Sequence, residues 1–111
     1  MKKIRQKLQE MRGEVIDGIR EIIDSVGFLR ILDIDEGCSP ILQEDSFDGN
    51  NTYTLDRIYI ENDKLCFDGS SSYANYTWNQ DNLDVIMLIG ILEFLEDHEN
   101  EVEELKEYNY A

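Results

Sequence analysis

Proline and histidine each occur once in this sequence and cysteine twice, while ten bases face twenty-five acids. Each scarcity removes a class of reading. No HExxH helix, CxxC pair or nucleophile elbow is present, so the usual sequence marks of zinc-protease, dithiol and serine-hydrolase chemistry are missing. His98 and Glu101 could share a metal ion, but one such pair cannot complete a site. DGSSS at 68–72 carries one glycine, and the acids near it oppose phosphate, so no phosphate cradle is read. Cys38 and Cys66 are far apart in sequence. No apolar stretch follows the lysines of MKKIRQKLQEMRGEV, so no secretory signal is read. Two reduced thiols in a bacterial cytoplasm are expected.

Long hydrophobic runs are also lacking. The greasiest stretch, LDVIMLIGILEFL at 83–95, has thirteen residues. As a helix it spans about 20 Å against a hydrocarbon core of about 30 Å. Asp84 and Glu93 would have to enter lipid with it. A membrane span is excluded on both counts.

What the sequence does have is negative charge, unevenly placed. The formal net charge is −15. Residues 1–30 hold seven bases and five acids, whereas residues 31–111 hold three bases and twenty acids. An acidic body of this kind repels phosphate backbones and anionic lipid, so direct nucleic-acid or membrane binding through the body is not expected. The 111 residues suit a single domain over 1–111. Folding would hide about two-thirds of a chain this size, enough for one core without staples.

Periodicity assigns the elements. Ile4, Leu8, Met11, Val15, Ile19, Ile22, Ile23 and Val26 form one apolar stripe, predicting an amphipathic helix at about 3–26 that Gly27 ends. Strands are expected within 28–34, 41–43, 53–60, 64–68 and 76–78, with a hairpin across the polar ENDK turn. DEGCSP (35–40), EDSFDGNN (44–51) and GSSSYAN (69–75) read as turns and loops. Asn79 or Asp81 is expected to cap a long helix at about 81–105. The order predicts an α+β fold: an N-terminal amphipathic helix, a three- to four-stranded antiparallel sheet, and a long C-terminal helix packed on the sheet.

That last helix is apolar nearly all round as far as Leu95, so it needs cover on more than one face. The sheet and the first helix can supply it, with Gly90 allowing backbones to approach; otherwise a second copy does, as a homodimer through the C-terminal helix. The basic start of the first helix and the acidic end of the last would pair if the two ran antiparallel.

Several constellations invite chemistry. Asp33, Asp35 and Glu44 sit at positions one, three and twelve of a calcium-like loop, but Gly37 and Cys38 occupy the fifth and sixth places. Asp48, Asn50 and Asn51 more often make turns. Tyr53, Tyr59, Phe67, Tyr73, Tyr76 and Trp78 could line a shallow site for a sugar or a base, although aromatics in strands commonly pack across strands. No metal or other cofactor is expected. The stretch 93–107 holds eight acids and one lysine. The sequence therefore favours a non-enzymatic protein-interaction module with a basic protein partner, using the exposed acids Glu96, Asp97, Glu99, Glu101, Glu103 and Glu104. Two alternatives stand beside it: a small-ligand binder or enzyme using the aromatic sheet region, and an acidic mimic of nucleic acid that occupies a basic protein surface.

Overall fold

The computed structural model describes residues 2–34, 40–43, 52–71 and 74–110. Helix α1 (Lys2–Ile23) opens the chain, and its apolar stripe buries Ile16, Ile19 and Ile23. It ends three residues earlier than the periodicity predicts. The chain turns through 24–26, and Gly27, at φ +69°, donates its amide to the Ile23 carbonyl. That left-handed conformation is what glycine permits at low cost.

The branched residues of 28–34 predict a strand, but only Phe28–Arg30 (β1) is extended. Ile31–Asp33 form a 3-10 turn. Such a turn brings residues three apart onto one side, and Ile31 and Ile34 are both buried. An extended chain would have sent one of them outward.

Strands β2 (Ile41–Gln43), β3 (Thr52–Glu61), β4 (Lys64–Ser70) and β5 (Asn75–Asn79) complete an antiparallel sheet of five strands among the described residues. That is more than the three to four strands the sequence predicts, and two of the five are short strands that share one edge of β3. β1 pairs with Arg57–Tyr59, and β2 pairs with Thr52–Thr54. The β3–β4 hairpin lies where the sequence placed it. Asn62 and Asp63 both have positive φ, the signature of a type I′ turn. Across the sheet, Leu29, Ile58, Phe67 and Trp78 lie side by side in one buried row.

The C-terminal helical region is two helices, α2 (Val85–Asp97) and α3 (Glu99–Tyr110), and not one. The break falls at His98, whose backbone leaves helical geometry at φ −114°, ψ 34°. Its ring lies 4.3 Å from that of Phe94 and its Nδ1 sits 2.8 Å from the Phe94 carbonyl oxygen. Past the break, Val102 is 2% exposed and joins the core, and Leu105 packs beside it. Burial of these two residues holds α3 on the body, where a straight helix would carry its end away.

Asp84 is the N-cap of α2, accepting from the Ile86 amide at 2.8 Å. Asn79 and Asp81 are not caps. Asn79 closes the preceding turn instead, its side-chain oxygen accepting from the Asp81 amide. Lys64 pairs with Asp81.

Helices α1 and α2 pack side by side and run in the same direction. Arg12 Nη1 donates to the carbonyls of Gln80 (3.0 Å) and Leu83 (2.7 Å), just before α2 begins. Gly18 faces Leu92. Ile22 shares a groove with Leu95 and Val102. The antiparallel arrangement expected from charge is therefore overturned. Exposed ion pairs contribute about 0–1 kcal/mol each, too little to set the direction against burial of Ile16, Ile19, Leu88 and Ile91. Gly18, not Gly90, is the close approach: a side chain at Gly90 would meet nothing within 4 Å. Among the described residues, no helix is long and apolar enough to cross a membrane.

Candidate functional site

Parallel packing has an electrostatic consequence. The acidic end of α1 lies beside the acidic end of α2 and the start of α3, so like charges meet. The helices enclose a groove of about 450 Å³. Its floor is apolar, from Gly18 and Ile22 of α1, Leu92 and Leu95 of α2, and Val102 of α3. Its rim carries Glu21, Glu96, Glu99 and Glu103. The one cation paired with this rim among the described residues is Lys106, which reaches Glu103 at 3.5 Å.

The groove sorts the six acids singled out from the sequence. Glu96, Glu99 and Glu103 come together on it, at helix-like spacing that carries across the break. Asp97 lies on the far side of α2, and Glu101 and Glu104 are exposed on α3 away from both depressions. Glu21 and the apolar floor are missed by sequence reasoning. Glu21 belongs to the first helix, and nothing local signals that its end meets the acidic run; the relative direction of two helices does.

Asp97 lines a shallower depression of about 310 Å³ with Pro40, Ile41, Ile86, Met87, Gly90, Glu93 and Phe94. Here the greasy helix keeps its uncovered face: Leu88, Ile91 and Leu95 are buried, whereas Ile86 is 70% exposed. Pro40 and Ile41 adjoin, in sequence, the stretches 35–39 and 44–51, which lie outside the described residues. Asp35, Cys38, Glu44, Asp48, Asn50, Asn51 and Tyr73, weighed above as ligands or thiols, also fall outside them.

The aromatic region divides between the two sheet faces. Tyr53, Tyr76 and Trp78 cluster on the helix-covered face, with Trp78 edge-on to Tyr53 at 5.5 Å between ring centroids. They close over Gly69, where an added Cβ would lie 3.0 Å from the Trp78 ring and 3.2 Å from the Thr54 carbonyl oxygen. Cross-strand packing accounts for this cluster. The opposite face carries a polar network around Asp68, which pairs with Arg57 and accepts from Thr77 Oγ1 (2.8 Å) and Tyr59 Oη (3.3 Å). Arg57 also lies over the Tyr59 ring, 5.0 Å from its centroid. The hydrogen bond to Asp68, then its charge, raises the Arg57 pKa. Burial, reinforced by Asp68, raises that of Tyr59. Burial also pushes the Cys66 thiol up, with Glu61 and Asp68 adding to it. A thiol so placed is protonated at neutral pH and a weak nucleophile.

Among the described residues, no three His, Cys, Asp or Glu side chains are gathered as a metal site. Two acids, Glu93 and Asp97, border exposed Ile41 and Ile86 at the shallower depression, whereas the groove gathers four glutamates over a floor in which Gly18, Ile22 and Leu92 are half-buried and Leu95 and Val102 buried. No protein-family model, curated protein or solved structure matches the chain.

Proposed function

We propose that this chain is a non-enzymatic protein-interaction module whose groove between α1, α2 and α3 receives a basic, amphipathic segment of a protein partner. The observation that carries this reading is the meeting of four glutamates over an apolar floor. Carboxylates alone would suit any cation. The floor adds a demand that a metal ion or a free polyamine leaves unmet, whereas a helix with one basic and one apolar face meets it. A cationic partner is drawn to the four carboxylates, and charge attraction speeds its encounter.

The test is capture from lysate at low and high salt, with wild type and Glu99→Lys/Glu103→Lys run side by side. A partner held by wild type at low salt, released at high salt and lost from the variant supports the groove. A partner held equally by both, or no partner at either salt, contradicts it.

A further inference from the structure

The first turns of α1 carry what the groove lacks. The stripe that buries Ile16, Ile19 and Ile23 continues toward the N-terminus through Met11 and Leu8, but the core does not follow it. Met11 is 42% and Leu8 44% exposed. Lys3 and Lys7 are exposed on the same turns. Residues 1–12 hold five bases against one acid, a net of +4 in a chain of net −15. This is an amphipathic basic helix whose apolar side is only partly covered among the described residues, Leu8 bordering a shallow depression with Asp84 and Val85.

It cannot reach its own groove. Lys7 and Glu21 lie on one continuous helix, fourteen residues and about 21 Å apart. Any contact between the two surfaces is therefore between molecules. Resting on the groove reading above, we propose that the occupant is a second copy of this chain, whose α1 N-terminal turns seat Leu8 and Met11 on the apolar floor. Lys3 and Lys7 then face Glu96, Glu99 and Glu103. The two surfaces differ, so the contact is head-to-tail, and it grows with concentration unless its rotation closes a ring. An anionic lipid surface would attract the same basic turns, but residues 31–111, with twenty acids against three bases, would be repelled by it.

Sedimentation of the full chain from micromolar to sub-millimolar concentration tests this. At low salt the average mass should rise above 13.0 kDa with concentration. At about 1 M salt, where the Debye length is about 3 Å, self-association should weaken by about tenfold or more. Lys3→Glu/Lys7→Glu and Glu99→Lys/Glu103→Lys change exposed positions only, and circular dichroism checks that each folds. Each variant alone should be monomeric, and mixing the two should restore association, because the intact basic start of the groove variant then meets the intact acidic groove of the other. A wild-type chain that stays at 13.0 kDa throughout overturns the proposal, as does failure of the mixture to associate or a monomer that binds phosphatidylserine vesicles instead. A labelled synthetic peptide of residues 1–12 separates the two levels by fluorescence polarisation. Peptide bound by wild type but not by Glu99→Lys/Glu103→Lys, with a monomeric chain, overturns the second copy and leaves the groove standing. Peptide bound equally by both proteins, or by neither, removes the groove with it.

Discussion

Of the glycines in regular structure, Gly18, Gly69 and Gly90 have different surroundings, so one substitution, to alanine, should give three different results. At Gly90 a Cβ meets nothing within 4 Å, and only helix propensity changes. Gly90→Ala should stabilise by about 0.8–1.0 kcal/mol, raising Tm by about 4 °C for a domain this size. At Gly18 the same gain meets a Cβ placed 3.1 Å from Leu92 Cδ2. Leu92 is half-buried at the groove and can swing by a few tenths of an ångström, so the two effects nearly cancel. Gly18→Ala should stay within about 0.5 kcal/mol of wild type. At Gly69 the Cβ would be 3.0 Å from the Trp78 ring and 3.2 Å from the Thr54 carbonyl oxygen, neither able to give cheaply. Gly69→Ala should destabilise by about 1–3 kcal/mol. Urea unfolding measures all three as shifts in midpoint at constant slope. A destabilising Gly90→Ala would mean that something covers α2 there. A neutral Gly69→Ala would refute the packing of Tyr53 and Trp78 over that strand.

Arg12→Ala removes two hydrogen bonds from a charged donor to the carbonyls of Gln80 and Leu83, and should destabilise by about 2–3 kcal/mol by the same assay. A loss typical of a surface residue would contradict the parallel docking of α1 on α2. The Tyr59 and Cys66 pKa values are raised in the fold from ordinary values of 10.0 and 9.0. The native state thus keeps protons that the unfolded chain has lost. Their contribution is intact below those ordinary values and falls as pH rises through them. Urea midpoints should accordingly decline from about pH 9 upward, less so in Cys66→Ala/Tyr59→Phe. A flat alkaline profile would sink that reading. Asp68→Ala leaves Arg57, Tyr59 and Thr77 without their shared acceptor and should destabilise by about 1–2 kcal/mol. Arg57→Ala, at a half-exposed partner, should have less effect.

Local pattern made much of this fold legible. The stripe through Ile16, Ile19 and Ile23, the stop at Gly27 and the ENDK hairpin are set by residues close in sequence, and each lies near its expected place. What sequence did not reveal depends on distant partners. EDHENE has no proline or glycine to mark a break at His98; that break goes with burial of Val102 and Leu105, a tertiary term. Surface charge favours the opposite direction of α1 against α2, but it is the weaker force, and apolar burial and Arg12 decide it. The same reversal explains why half of the candidate acids converge. Glu96, Glu99 and Glu103 were legible as charge, but their meeting with Glu21 over Ile22 and Leu92 required knowing which helix ends lie together.

The place where a basic amphipathic helix binds is the most direct test of the groove. Amide chemical-shift mapping of the labelled chain against the peptide of residues 1–12 locates it residue by residue. Shifts should concentrate at Gly18, Glu21, Ile22, Leu92, Leu95, Glu99 and Val102 and shrink as salt is raised. Shifts centred on Ile86 and Gly90, shifts spread evenly over all acidic residues, or none at all would contradict the groove.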